Sequence, residues 1–506
     1  MTRGTWLALG AMALSVFVIA NDVTALSVAL PQIEKDFDAD VSTVQWVINA
    51  YALVFGVLIV TGGRLADMFG RRRAFFIGAA IFAGFSLLGG AAQDEIWLIA
   101  CRALMGIGGA LMWPAVHGMT YDILPDDRAA LAGALIIGSA GFGNAAGPLL
   151  GGVLTDALSW RWIMFANVPI AGLACLVTWR SVSESRGGGA MQGIDIPGVA
   201  SLSIGLVALL LALDQVTDWG WSDPRILGLF GACAALLVAF ALIERHAGER
   251  ALVPRDVIAN RAFRAACLAT LLMSAVFFVV LLFLPQFMQK ILGWNPLQAG
   301  LGLLPLMGVF AVTSFAAGPL YERLGPKVVV SAGAVCLAAG SFLISLIGRD
   351  SGWAELVPGM VVTGLGVGLF YSSITTAAVT ALDPSRSSLA GGIVYMFQVA
   401  GGSVGLGLTT TVFTTASEDK LQAAGAGLSE TEIHDVQGVL AGTDSAEQVL
   451  AHHGGDVAGG LIELVREAFV AGLSWSFRLV ALLALAGLVV SVLFVGDRRG
   501  RIGPGA

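Results

Sequence analysis

Residues 62–73 read GGRLADMFGRRR, and residues 318–327 read GPLYERLGPK. Aligning Gly63 with Gly318 places Asp67 over Glu322 and Gly70 over Gly325, with a base just behind each second glycine. Each segment follows a long apolar run. A second echo lies further on: the glycine-rich stretch Gly143 to Gly152 has a counterpart at Gly401 to Gly407, at nearly the same offset. The chain therefore reads as two parallel repeats, a plan that places a binding site between the halves and opens it by rocking. We expect three segments: a six-helix bundle over 1–186, two inserted helices with their linkers over 187–261, and a second six-helix bundle over 262–506. The last would include a long external loop at 415–467.

Working outward, the composition demands a membrane. Of 506 residues, 57% are hydrophobic and 12% charged, whereas soluble domains carry about 25% charged residues. Mean hydropathy is +0.83. A helix needs roughly twenty apolar residues to cross the hydrocarbon core, and only helices or closed barrels satisfy their backbones there. The apolar runs are too long for barrel strands. They predict fourteen transmembrane helices near 6–30, 44–63, 74–93, 95–117, 129–154, 163–182, 197–214, 225–245, 262–288, 298–320, 327–348, 354–381, 387–414 and 468–496. The first run reads as a retained span, not a cleaved leader. Most of the 28 Lys and Arg residues fall at one set of loops, which the positive-inside rule assigns to the cytoplasm together with both termini.

The same survey narrows the function. No GxxxxGK[ST] phosphate loop occurs, so an ATP-driven pump is not expected. No catalytic constellation and no metal-ligand spacing is found, and the five cysteines lie in apolar stretches. Neither an enzyme, a cofactor nor a nucleic-acid partner is expected. The segment 415–467 holds ten acids against Lys420 and Arg466. Within it, IHDVQGVL and DVAGGLIELV have the alternation of short amphipathic helices.

Four stretches carry a resemblance: DVTALSVALP (22–31), GGRLADMFGRRR (62–73), CRALMGIGGALMWPA (101–115) and GFGNAAGPLLGG (141–152). With WRWIMFANVPIAG (160–172) and LPQFMQKILGWNPLQAGLGLLP (284–305), they look like the major facilitator superfamily, and within it the fourteen-span drug:proton antiporters. The resemblance implies an all-α fold and a monomer in the bacterial cytoplasmic membrane, driven by protons and exporting lipophilic, cationic drugs. It assigns conformational roles to Gly63, Asp67, Gly70, Arg71 and Arg72 in the loop, and to Gly143, Gly147, Pro148 and Gly151 in span five. Asp22 and Arg102 match the acid of span one and the base of span four. An acid inside a span is costly and marks proton pathways. Counted from the external ends at about 1.5 Å per residue, Asp22 and Arg102 sit at similar depth and are placed to pair. Two positions depart from the pattern: Ser27 stands where Asn is usual, and Met105 where Gln is usual.

A drug site is mostly apolar with a few polar groups. The candidates in the spans facing the seam are Trp46, Asn49, Tyr51, Trp113, Asn144, Phe283, Gln286, Tyr371, Tyr395 and Gln398. Their rings suit flat cations through cation–π attraction. Competing readings are an exporter or flippase of one endogenous lipid or secondary metabolite, a nutrient symporter, and a membrane sensor. Membrane lipids and protons are the other expected partners.

Overall fold

The computed structural model describes residues 3–39, 41–186, 195–248, 251–348, 350–424 and 455–495. The chain is a multi-pass membrane protein, and among the described residues fourteen helices are long and apolar enough to span the membrane. The first six are α1 (Arg3–Phe37), α2 (Val41–Phe69), α3 (Arg71–Gly90), α4 (Glu95–Ile123), α5 (Ala129–Ala157) and α6 (Arg161–Ser181). The inserted pair is α7 (Ile196–Trp219) and α8 (Pro224–Ala247), followed by the short cytoplasmic α9 (Arg255–Ala259). The second half comprises α10 (Arg261–Lys290), the short α11 (Pro296–Gly302), α12 (Leu304–Leu324), α13 (Pro326–Ile344), α14 (Trp353–Thr380), α15 (Ser387–Ala424) and α16 (Gly455–Phe494).

Three spans depart most from their sequence expectation. The run at 298–320 is divided between α11 and α12. Asn295 and Gln298 form a capping box that starts α11, and Pro305, which has no amide to donate, opens α12. The last two spans outrun their apolar windows. Lys420 pairs with Glu467 at 3.2 Å, and Ser417 donates to the Ala468 carbonyl at 3.0 Å. The expected amphipathic stretch DVAGGLIELV is thus the opening of α16. IHDVQGVL, at 433–440, lies outside the described residues.

Small residues set the helix spacing. A Cβ on Gly143 would stand 2.8 Å from the Phe17 carbonyl, and Cβ atoms on Gly147 and Gly151 would strike Thr24 and the Ala25 carbonyl. Glycine at four-residue spacing on α5 therefore lets α1 lie directly against it. The two halves meet where α2 and α4 face α15, and where α5 faces α12 and α14. The inserted α7 leans on both α2 and α15, and α8 packs on α7. Trp221, just beyond α7, donates its indole N–H to Thr411 on α15.

Candidate functional site

At the cytoplasmic end, the 62–73 loop joins the halves. Gly70 turns the chain with φ 117°, a conformation open to glycine. Glu184 accepts from the Arg72 and Arg73 amides at 3.0 and 3.2 Å and so caps α3. Arg72 donates to the Trp179 carbonyl at 2.9 Å and stays within its own half. Asp67 and Arg71 cross the seam. Asp67 is buried and accepts from the Leu389 amide at 2.9 Å and from Ser388 at 3.4 Å. It thereby caps the free N-terminal amides of α15, where a negative charge is favoured. Arg71 binds Asp67 at 2.9 Å, Asp122 at 2.5 Å and the Pro384 carbonyl at 2.9 Å. Gly63 lies against the Ser388 carbonyl, 2.7 Å from where its Cβ would be. From the other flank, Asp256 of α9 grips Arg386 at 3.0 Å, and Asn260 donates to the Ala381 carbonyl at 2.7 Å. The halves are closed together at this end.

Deeper in, Asp22 and Arg102 form an ion pair that is fully buried. The guanidinium also donates to the Val47 carbonyl at 2.9 Å and touches the Met105 sulfur at 3.8 Å. Asn167 donates to the other carboxylate oxygen of Asp22 at 2.6 Å and to Ser86 at 3.1 Å. Ser86 donates in turn to the Met164 carbonyl at 2.7 Å. Neither Asn167 nor Ser86 stood out in the sequence. Asn167 lies inside the quoted 160–172 motif, which was a usable signal, whereas Ser86 had none. Met105 keeps contact with the arginine through sulfur. Ser27 is exposed and donates to Thr24 at 2.8 Å, away from the pair.

Tyr51 touches both this pair and the central cavity. The Tyr51 ring lies over the Arg102 guanidinium, 4.5 Å from it, and also lines the cavity. The cavity has a volume of about 190 Å³ and draws its walls from both halves. Six of the expected contact residues line it: Tyr51, Trp113, Asn144, Tyr371, Tyr395 and Gln398. Trp46, Asn49, Phe283 and Gln286 do not. Trp46 and Asn49 are half-buried elsewhere on α2. Phe283 is buried against Phe413 with ring centroids 5.2 Å apart, and Gln286 lies half-buried on the same helix. Sequence reading missed the phenylalanines Phe55, Phe277, Phe278 and Phe310, which also line it. Phe55, Trp113 and Tyr395 form a tight cluster across the seam, with Trp113 and Tyr395 centroids 4.6 Å apart. Among the described residues no Asp, Glu, Lys or Arg lines the cavity.

The puromycin resistance protein pur8 of Streptomyces alboniger is 34% identical over 81% of this chain and 82% of its own length. The tetracenomycin C resistance and export protein of Streptomyces glaucescens is 30% identical over 96% of this chain and 91% of its own. Multidrug resistance protein 3 of Bacillus subtilis is 27% identical over 96% of this chain and 94% of its own. Among solved structures, a bacterial homologue of the human lysosomal transporter Spinster, inward-facing and unoccupied, superposes with a TM-score of 0.59 at 16% identity, covering 98% of both chains. The human organic anion transporter MFSD10 superposes with a TM-score of 0.60 at 14% identity, covering 97% of this chain and 100% of its own. These two show the fold alone. The family profile described as Major Facilitator Superfamily matches residues 12–406. By that match, by its fourteen spans and by these relatives, the chain belongs to the major facilitator superfamily.

Proposed function

We propose that this chain is a proton-driven exporter of lipophilic compounds that works by alternating access. The observation that carries the reading is the buried Asp22–Arg102 pair, whose arginine lies under a tyrosine ring that also lines the central cavity. With Asp22 ionised, the pair is neutral and Arg102 is held between the carboxylate, the Val47 carbonyl and the Tyr51 ring. A proton arriving from outside removes the counter-charge of Arg102. The guanidinium then shifts its hold toward its other partners, and the Tyr51 wall of the cavity moves with it. Load bound from the cytoplasm is released outward on that step. The relatives named for resistance and export support the direction. A flat cation, the load implied by the sequence resemblance, would find ring faces as its partners here, because no carboxylate lines the cavity.

A second reading, export of one secondary metabolite, is favoured by relatives named for a single compound, tetracenomycin C among them. The two share one mechanism and differ in breadth of substrate. The test is efflux from proteoliposomes under an imposed pH gradient. Asp22→Asn is expected to abolish proton-driven efflux while its thermal unfolding in micelles stays that of a folded protein. Undiminished efflux from the variant would remove proton coupling through Asp22.

A further inference from the structure

We propose that Asn167, fixed by Ser86, is a positioning residue for Asp22: it holds one carboxylate oxygen in a one-way hydrogen bond and so sets the pH range over which Asp22 exchanges its proton. This rests on Asp22 being the proton carrier of the exporter described above, and it adds the part of the site that tunes the carrier.

The three side chains come from three helices. Asp22 lies on α1, Ser86 on α3 and Asn167 on α6. They are 0%, 0% and 1% exposed, so water does not compete for their hydrogen bonds. The Asn167 amide nitrogen reaches Asp22 Oδ1 at 2.6 Å and Ser86 Oγ at 3.1 Å. Ser86 Oγ reaches the Met164 carbonyl at 2.7 Å.

The direction of these bonds is forced. A carbonyl oxygen has no hydrogen to give, so the Ser86 hydroxyl hydrogen is committed to Met164. Ser86 is left to accept from Asn167. Both hydrogens of the amide are then used, one on Ser86 and one on Asp22. Turning the amide over would set its oxygen against the Ser86 oxygen and against the ionised carboxylate, acceptor facing acceptor. Asn167 therefore donates to Asp22 and does not accept from it. A buried donor fixed in this way favours the charged form of the carboxylate over the protonated one.

Arg102 acts on the other oxygen. Its NH1 group binds Oδ2, so removing Asn167 leaves the ion pair in place. Among the described residues, the other titratable group facing Asp22 is Tyr51 of α2. The α5 helix meets α1 here through Gly143 and Gly147, and α6 through Asn167. The remaining charged residues of α1, α2, α4, α5 and α6 stand toward the helix ends. The effect of Asn167 on Asp22 can thus be separated from that of Arg102.

The test is an infrared titration of the purified full chain in nanodiscs. The carboxylic C=O band that grows as pH falls, and is missing from Asp22→Asn, belongs to Asp22. In Asn167→Leu, which keeps the side-chain volume, the midpoint of that band is expected about one pH unit higher, a gain of about tenfold in proton affinity. Ser86→Ala frees the amide to turn and is expected to move the midpoint the same way by less. A midpoint unmoved or lower in a folded Asn167→Leu protein overturns the proposal and leaves Asn167 as a tie between helices; the proton-carrier reading survives that result. If Asn167→Leu does not fold, Ser86→Ala decides by the same rule. Absence of an Asp22 band at every pH where the protein stays folded overturns the carrier reading and the proposal with it, so the two failures are distinguishable.

Discussion

Asp67 and Glu322 hold equivalent places in the two repeats, yet Asp67 is buried against α15 while Glu322 is exposed. Their neighbours follow the same symmetry. Gly63 packs against the start of α15 at Ser388, and Gly318 packs against the start of α5 at Ala130. The backbone repeat is preserved and the chemistry is not. The same holds at mid-membrane. The loop offset of 255 residues carries Asp22 onto Phe277, because 322 − 67 and 277 − 22 are equal. Where the first half has a buried ion pair, the second has an aromatic cluster and the neutral Tyr371–Ser274 hydrogen bond at 3.3 Å. Buried charge stands in the first half at places where the second half has none.

The largest expected effect tests the mid-membrane half of that contrast. Arg102→Met leaves Asp22 buried without its partner and is expected to cost about 3–5 kcal/mol of stability. Equilibrium unfolding in micelles measures it, and the double variant with Asp22→Asn should recover most of the loss. At the matching position, Phe277→Leu is expected to cost under about 1.5 kcal/mol. Comparable losses at the two positions would break the asymmetry.

Next in size is the latch. Asp67→Asn removes the charge from the hydrogen bonds to Leu389 and Ser388, worth about 1.5–3 kcal/mol. The ratio of cytoplasm-closed to cytoplasm-open molecules should fall by about tenfold or more, read as spin-label distances between the ends of α2 and α15. Glu322→Gln, on an exposed side chain, should stay within about 0.5 kcal/mol. An equal shift from Glu322→Gln would mean the repeats act symmetrically. Tyr371→Phe should lose less than the latch, since it forfeits one neutral hydrogen bond worth about 0.5–1.5 kcal/mol by the same unfolding measurement.

Much of this contrast could be read before the structure. Apolar run length is a direct physical requirement of the bilayer, so the fourteen spans were legible. Depth counting along α1 and α4 placed Asp22 beside Arg102, because helical rise is constant. Which side of a helix faces the cavity was harder. Trp46 and Tyr51 lie on one apolar helix, and a span buried on one side and bathed in lipid on the other shows little amphipathic contrast to tell them apart. Asn167 was hidden for a related reason, since a single amide in an apolar helix has many possible partners across the bundle. The continuation of α15 and α16 past their apolar windows depends on contacts between distant segments, such as Lys420 with Glu467, which local composition does not encode.

Among the described residues Asp22 is the acid deepest within a span, and on the proposed proton coupling this bears on how transport would be energised. If Asp22 is the one carrier, a cycle returns a single proton. Exchanged for an uncharged load, that proton moves one net elementary charge inward each turn. Transport would then be electrogenic, and the membrane voltage alone, at about 2.3 kcal/mol per 100 mV, could sustain accumulation after the pH difference is collapsed. Exchanged for a monovalent cation, the same cycle would be electrically silent. With a single such carboxylate, the charge of the load would decide whether proton-coupled transport answers to voltage.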